Sequence, residues 1–163
     1  MKMRTIFPTL LGLLVLAGPS EANNPDEVAE RVRGLIEASN AQDVDAILSA
    51  TTEDFRWMLV DGDRVAVEVD GRTDLESWLH AYYGSTPGAR SEIGEVLVDG
   101  SYATTIETMH WNTPEGGTRE QSATSVYHVN DEGLIRAVWY FPARAADPGA
   151  ARDEARDEAP DAQ

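Results

Sequence analysis

The chain has 163 residues, 29 acidic side chains against 13 lysines and arginines, and a formal net charge of −16. A surface of that sign is repelled by nucleic acid and by anionic lipid, so neither is expected as a partner. It contains no cysteine, so the fold must rest on packing without disulfides.

The N-terminus has the order of a secretory signal peptide. Lys2 and Arg4 make a basic start, Ile6 to Ala17 is a short apolar run, and Gly18-Pro19-Ser20-Glu21-Ala22 supplies small residues for cleavage after Ala22. The run is too short to cross ~30 Å of hydrocarbon comfortably, and Pro8 interrupts it, so a membrane anchor fits less well. Residues 1–22 are therefore assigned to a signal peptide. The mature protein is expected to begin at Asn23, to be periplasmic or secreted, and to have no membrane contact after cleavage. About 140 residues remain, enough for one domain with a real core.

Asn24-Pro25-Asp26-Glu27 then opens a helix, with Asn24 as the cap and Val28, Val32, Leu35, Ile36 and Ser39 on one face. Asn40-Ala41-Gln42 breaks it, and Asp43 caps a shorter helix carrying Val44, Ile47 and Leu48. Phe55, Trp57 and Leu59 alternate in a strand that turns at Asp61-Gly62 into a return strand with Val65, Val67 and Val69. Thr73-Asp74-Leu75-Glu76 reads as a capping box for a third helix, with Leu75, Trp78, Leu79 and Tyr82 on one face and Gly84 as its stop. Four strands follow, at about Ser91–Val98, Tyr102–Trp111, Thr118–Val129 and Leu134–Phe141. The domain is bounded at 23–142. Residues 143–163 hold almost nothing large and apolar, cannot offset the entropy of ordering, and are expected to form a disordered acidic tail.

Three helices with such strands predict an α+β fold, in which a curved antiparallel sheet wraps the three helices of the N-terminal half and leaves a cone-shaped cavity. The run Ser39-Asn40-Ala41-Gln42-Asp43-Val44-Asp45 is followed by Thr52-Glu53-Asp54-Phe55-Arg56-Trp57. Gly71-Arg72-Thr73-Asp74-Leu75 comes next, then Tyr127-His128-Val129-Asn130-Asp131-Glu132-Gly133-Leu134-Ile135. In their order and spacing these segments resemble the SnoaL-like branch of the nuclear transport factor 2-like superfamily, over about residues 25–142. The resemblance implies the cone fold, which hosts isomerases, dehydratases, cyclases, epoxide hydrolases and non-catalytic binding modules, and so leaves the activity open. Ketosteroid isomerases of this fold need a Tyr on the first helix, a base Asp on the first strand and an Asp on a late strand. The overlay puts Leu35, Leu59 and Ser125 there, so that chemistry is not expected. The His and Asp of scytalone dehydratases and the Asp-Arg-Asp set of limonene epoxide hydrolases are likewise missing from inward positions.

The same overlay, with strand alternation, turns Thr105, Glu107, Met109 and Trp111 into the cone, together with Ser125, Tyr127, Val138 and Tyr140. With Trp57, Leu59, Trp78 and Tyr82 these make either an aromatic-rich small-molecule pocket or a plain filled core. The expected ligand-binding residues are Trp57, Leu59, Trp78, Tyr82, Met109, Trp111, Ser125, Tyr127 and Tyr140. Glu107 is the one inward acid. It is either a catalytic acid/base with a pKa raised by burial, or a structural group paired with Arg136 or Arg56, or a group at the wet mouth. Hydroxyl partners are the more expected, because Arg136 lies at the start of its strand. His80, His110 and His128 have surface positions and no metal-ligand spacing, so no metal or other cofactor is expected. Ser125 has no base beside it and no glycine elbow, which argues against a nucleophile.

The functional reading is an exported domain that binds a small, mostly apolar molecule in its cone. The alternatives are a lyase or isomerase using Glu107 as acid/base, and a non-catalytic interaction domain. Ile135, Trp139 and Phe141 have outward parity, joined by Val126 and Ile106, and so large an apolar patch predicts a homodimer through the outer sheet face.

Overall fold

The computed structural model describes residues 24–86, 88–113 and 116–145. The expected signal peptide and the tail from 146 onward lie outside these described residues.

Helix α1 (Pro25–Ala41) starts as its sequence dictates, with the Asn24 side chain accepting from the Asp26 N–H at 3.1 Å. It ends where Gln42 turns left-handed at φ 55°. Asp43 then caps α2 (Val44–Ala50), accepting from the Ala46 N–H at 3.0 Å. Strands β1 (Thr51–Asp61) and β2 (Arg64–Asp70) form a hairpin through the expected turn at Gly62.

Helix α3 (Arg72–Ser85) departs from expectation at both ends. Its N-cap is Gly71, at φ 99°, and no capping box forms, because Thr73 already lies inside the helix. Asp74 instead reaches back to accept from the Asp70 N–H at 3.1 Å, and the Gly71 N–H donates to the Phe55 carbonyl at 2.7 Å. At the other end the helix runs through Gly84. It stops at Thr86, whose backbone N–H and hydroxyl both donate to the Tyr82 carbonyl, at 2.9 and 2.6 Å.

The remaining strands are β3 (Arg90–Ile93), β4 (Leu97–Asp99), β5 (Tyr102–Asn112), β6 (Thr118–Val129), β7 (Ile135–Tyr140) and β8 (Arg144–Ala145). The strand expected at 91–98 is two, both paired to β5 and separated where the Gly94 N–H donates to the Ile106 carbonyl at 3.0 Å. Arg144–Ala145, on the tail side of the expected boundary at 143, add a short strand beside β6. The sheet order is β2-β1-β7-β6-β5-β3, with β4 beside β5 and β8 beside β6. It is curved but mixed, not wholly antiparallel, because β1 and β7 run parallel. The physical cause is the crossover: α3 carries the chain from β2, at one edge, to β3 at the other, and the returning meander delivers β7 alongside β1.

Two bulges set which side chains enter the core. Trp57 faces Val69 and Met58 faces Val67, so Glu68 is skipped; Val69 is buried, while Val65 and Val67 are 58% and 52% exposed. Val129 faces Ile135 and His128 faces Ala137, so Arg136 is skipped. Ile135 is therefore fully buried and does not belong to the outer face, a correction to the expected parity. Arg136 swings outward to Asp54 at 2.7 Å.

The core joins Val28, Val32 and Ile36 of α1 to Leu75 and Leu79 of α3, over Phe55, Tyr127 and Ile135 of the sheet. Each such side chain contributes roughly 1.5–3 kcal/mol on burial. Asn40 ties the end of α1 to the sheet edge: its Nδ2 donates to the Ser91 carbonyl at 2.8 Å, and its Oδ1 accepts from the Ser91 N–H at 2.7 Å. Among the described residues no helix is long and apolar enough to cross a membrane.

Candidate functional site

The sheet does not close tightly on the helices; a cavity of about 660 Å³ remains between them. Its walls come from the three helices and strands β1, β3, β5, β6 and β7, with Phe141, Pro142 and Ala143 crossing one side. One wall is aromatic. Trp78 and Tyr82, one turn apart on α3, stack at 4.8 Å, and Trp57 of β1 meets Trp78 edge-on at 4.2 Å. Tyr140 of β7 lies 5.5 Å from Trp57, and the Tyr82 hydroxyl donates to the Met109 sulfur at 3.1 Å.

The polar pole of the cavity is built by three neighbouring strands. Glu107 on β5, Tyr127 on β6 and Tyr140 on β7 share inward parity. The Tyr127 hydroxyl donates to Glu107 Oε2 at 3.0 Å, the Tyr140 hydroxyl donates to the same oxygen at 2.5 Å, and the hydroxyls lie 3.1 Å apart. Glu107 is 9% exposed. Neither arginine considered for it arrives: Arg136 is held by Asp54, and Arg56 by Asp70 at 2.9 Å. The environment is thus the hydroxyl one.

Burial, and then the nearby Glu107 carboxylate, hold the Tyr127 hydroxyl protonated well above the usual tyrosine range. For Tyr140 burial acts first, then Tyr127 and Glu107, in the same direction. Tyr82 is also pushed up, by burial first and then by Tyr83 and Glu107. The tyrosines are therefore donors, and Glu107 is an acceptor whose Oε1 makes no hydrogen bond among the described residues. No group of three or more metal-ligating side chains occurs among the described residues.

Of the residues singled out from sequence, Glu107, Trp57, Leu59, Trp78, Tyr82, Met109, Tyr127 and Tyr140 all line the cavity. Trp111 and Ser125 do not. Trp111 has the right parity but pairs with Arg119, beyond Met109 and Gln121, where the β5–β6 hairpin has passed the cavity wall. Ser125 points inward but is wholly buried, a short side chain between its cross-strand partners Thr105 and Tyr140. Phe141, expected on the outer face, is 39% exposed and lines the cavity just past the end of β7, where its N–H still donates to the Thr124 carbonyl at 3.0 Å.

The histidines keep to the surface side. His110 Nδ1 lies 3.1 Å from Glu120, His128 stacks on Tyr102 at 4.8 Å, and His80 is exposed. Gln121 and Ala123 also line the cavity, and continuing the alternation of β6 back from Ser125 finds both. Asp61 continues the alternation of Trp57 and Leu59 to the last residue of β1, whereas Ser91 carries no such signal and is brought to the cavity by the pairing of β3 with β5, opposite Met109.

The chain matches the model of the SnoaL-like domain over residues 32–138. No curated protein matches it. Among solved structures it is similar to an uncharacterized cystatin-fold protein from Novosphingobium aromaticivorans, at 24% identity and TM-score 0.62, covering 71% of this chain and 97% of that one. It is similar to the epoxide hydrolase/cyclase-like enzyme SalBIII of pyran ring formation in salinomycin, at 21% identity and TM-score 0.60, covering 71% and 90%. A Mycobacterium tuberculosis protein in complex with estradiol-17beta-hemisuccinate matches at 14% identity and TM-score 0.59, covering 70% and 92%. These likenesses are of fold; the family match, which takes in more than half of the chain, makes this protein a member of the SnoaL-like family within the nuclear transport factor 2-like superfamily.

Proposed function

We propose that this SnoaL-like domain binds a small, mostly apolar molecule in its cone. The observation that carries the reading is the cavity itself. Its volume of about 660 Å³ falls inside the ~300–1,000 Å³ of ligand sites, and its walls are mostly apolar and aromatic, with Glu107, Tyr127 and Tyr140 as a cluster of hydrogen-bonding groups. Two neighbours lend support, one an enzyme of pyran ring formation and the other crystallised with a steroid ester. The test is calorimetric titration with estradiol, as a rigid apolar probe, against the protein and its Ala123→Trp variant, which fills the cavity. Saturable one-to-one binding lost in the variant supports the reading, and binding that survives the substitution places the probe elsewhere.

A second reading is favoured by Glu107, whose Oε1 accepts no hydrogen bond among the described residues and lies beside a cluster of hydroxyl donors: a lyase or isomerase with Glu107 as acid/base. Turnover abolished by Glu107→Gln with ligand affinity retained would distinguish catalysis from binding. We further propose that the basic-then-apolar leader directs export to the periplasm or the exterior, with the mature chain starting at Asn23. Intact mass of protein recovered from the exporting host checks this. The homodimer proposal now rests on a revised face: Leu97, Tyr102 and Ile106, 61%, 48% and 51% exposed, with half-buried Val126 and Trp139.

A further inference from the structure

We infer that the ligand of the cone is a cation, a protonated amine on an apolar body, with its N–H groups on Glu107 Oε1. This rests on the cone being a binding site and names the chemistry it takes.

The first ground is the carboxylate's unequal use. A carboxylate offers hydrogen-bonding sites on both oxygens. Tyr127 and Tyr140 both donate to Oε2, and among the described residues nothing donates to Oε1. Glu107 is 9% exposed and lines the cavity, so the donor that completes it must enter from the cavity. Both tyrosine protons are already committed.

The second ground is charge. A buried carboxylate without a counter-ion is costly, and the usual remedy is an arginine or lysine within reach. Here the described residues that line the cavity include no Lys, Arg or His, and the acids among them are Glu107 and Asp61. Arg56, Arg72 and Arg136 are engaged by surface carboxylates, Arg56 with Asp70, Arg72 with Glu53 and Arg136 with Asp54, at 2.9, 2.7 and 2.7 Å. The missing counter-ion is left to the ligand, and the net charge of −16 draws cations and repels anions.

The third ground is the wall beside the carboxylate. Tyr140 both donates to Glu107 and lies, by its ring, 5.5 Å from Trp57, which in turn contacts Trp78 at 4.2 Å. An ammonium at Oε1 therefore sits next to aromatic rings, whose faces attract cations, while the rest of the cavity holds the apolar body.

The test is calorimetric titration of the full chain with three probes of matched shape: phenylbutylamine, phenylbutanol and phenylbutyrate. The amine is expected to bind at least about tenfold more tightly than the alcohol, with the acid weakest, as a desolvated charge pair requires. In Glu107→Gln the amine should fall to the level of the alcohol. The wild-type ranking needs no variant, so it decides the matter even if Glu107→Gln does not fold. Alcohol or acid binding as tightly as the amine overturns the cation and leaves the cone as a binding site. Failure of all three probes, together with failure of the estradiol titration, overturns both.

Discussion

Glu107, Tyr127 and Tyr140 form a unit in which each member is needed by the others. The two hydroxyls both donate to one oxygen of the carboxylate, and the carboxylate in turn helps keep the hydroxyls protonated. Replacing Tyr127 with Phe removes a buried donor from a charged acceptor and is expected to cost about 2 kcal/mol. The check is a denaturant midpoint that falls while the slope stays constant.

The alkaline limb follows from the direction of the tyrosine shifts. Folded-state values raised above the unfolded value of ~10 mean that the stabilisation is complete below that pH and is lost as pH climbs through the folded values. Tyr127 and Tyr140 should ionise only as the protein unfolds, by absorbance titration of phenolate beside circular dichroism. Ordinary titration of all five tyrosines with the fold intact would contradict this.

At the scale of elements, two glycines of α3 carry opposite expectations. Gly71 adopts φ 99°, which L side chains rarely do, and a Cβ there would stand 3.5 Å from the Glu53 carbonyl. Gly84 lies within the helix, and a Cβ there meets nothing within 4 Å. Gly71→Ala should therefore destabilise by more than ~1 kcal/mol, and Gly84→Ala should stabilise by about 0.5–1 kcal/mol. Thermal midpoints moving in opposite directions verify the pair; a gain from Gly71→Ala would show that the corner is not strained. The corner has consequences for the site, since α3 carries Trp78 and Tyr82 and its first residue, Arg72, binds Glu53 at 2.7 Å.

For the whole molecule, the open question is what covers the outer sheet. The proposed dimer would bury Leu97, Tyr102 and Ile106, and two copies of a chain with net charge −16 repel. Dimerisation should consequently strengthen as salt rises to a few tenths molar and shortens the screening length below ~10 Å. Light scattering with and without salt reads this directly. Ile106→Asp should give a monomer at every ionic strength, and a persistent dimer in that variant would move the interface off this face.

Local chemistry was legible along the chain wherever neighbours in sequence decide it. Asn24 and Asp43 cap because a side-chain oxygen reaches an N–H two or three residues ahead, and the apolar spacing of α1 names Val28, Val32 and Ile36 as buried. Alternation counted along unbroken strands likewise placed Glu107 with Met109, and Tyr127 with Tyr140, on one cavity wall. What alternation cannot register is a bulge, since one residue skipped between two strands leaves no mark on either sequence yet reverses every side chain beyond it. Glu68 and Arg136 are such residues, which is why Val65 and Val67 are exposed and Ile135 is core. The end of the cavity, too, was a tertiary matter. Trp111 keeps its parity but lies past the wall, and Phe141 reaches the cavity from just past β7, because the length of the β5–β6 hairpin and the path after β7 are set by what packs against them.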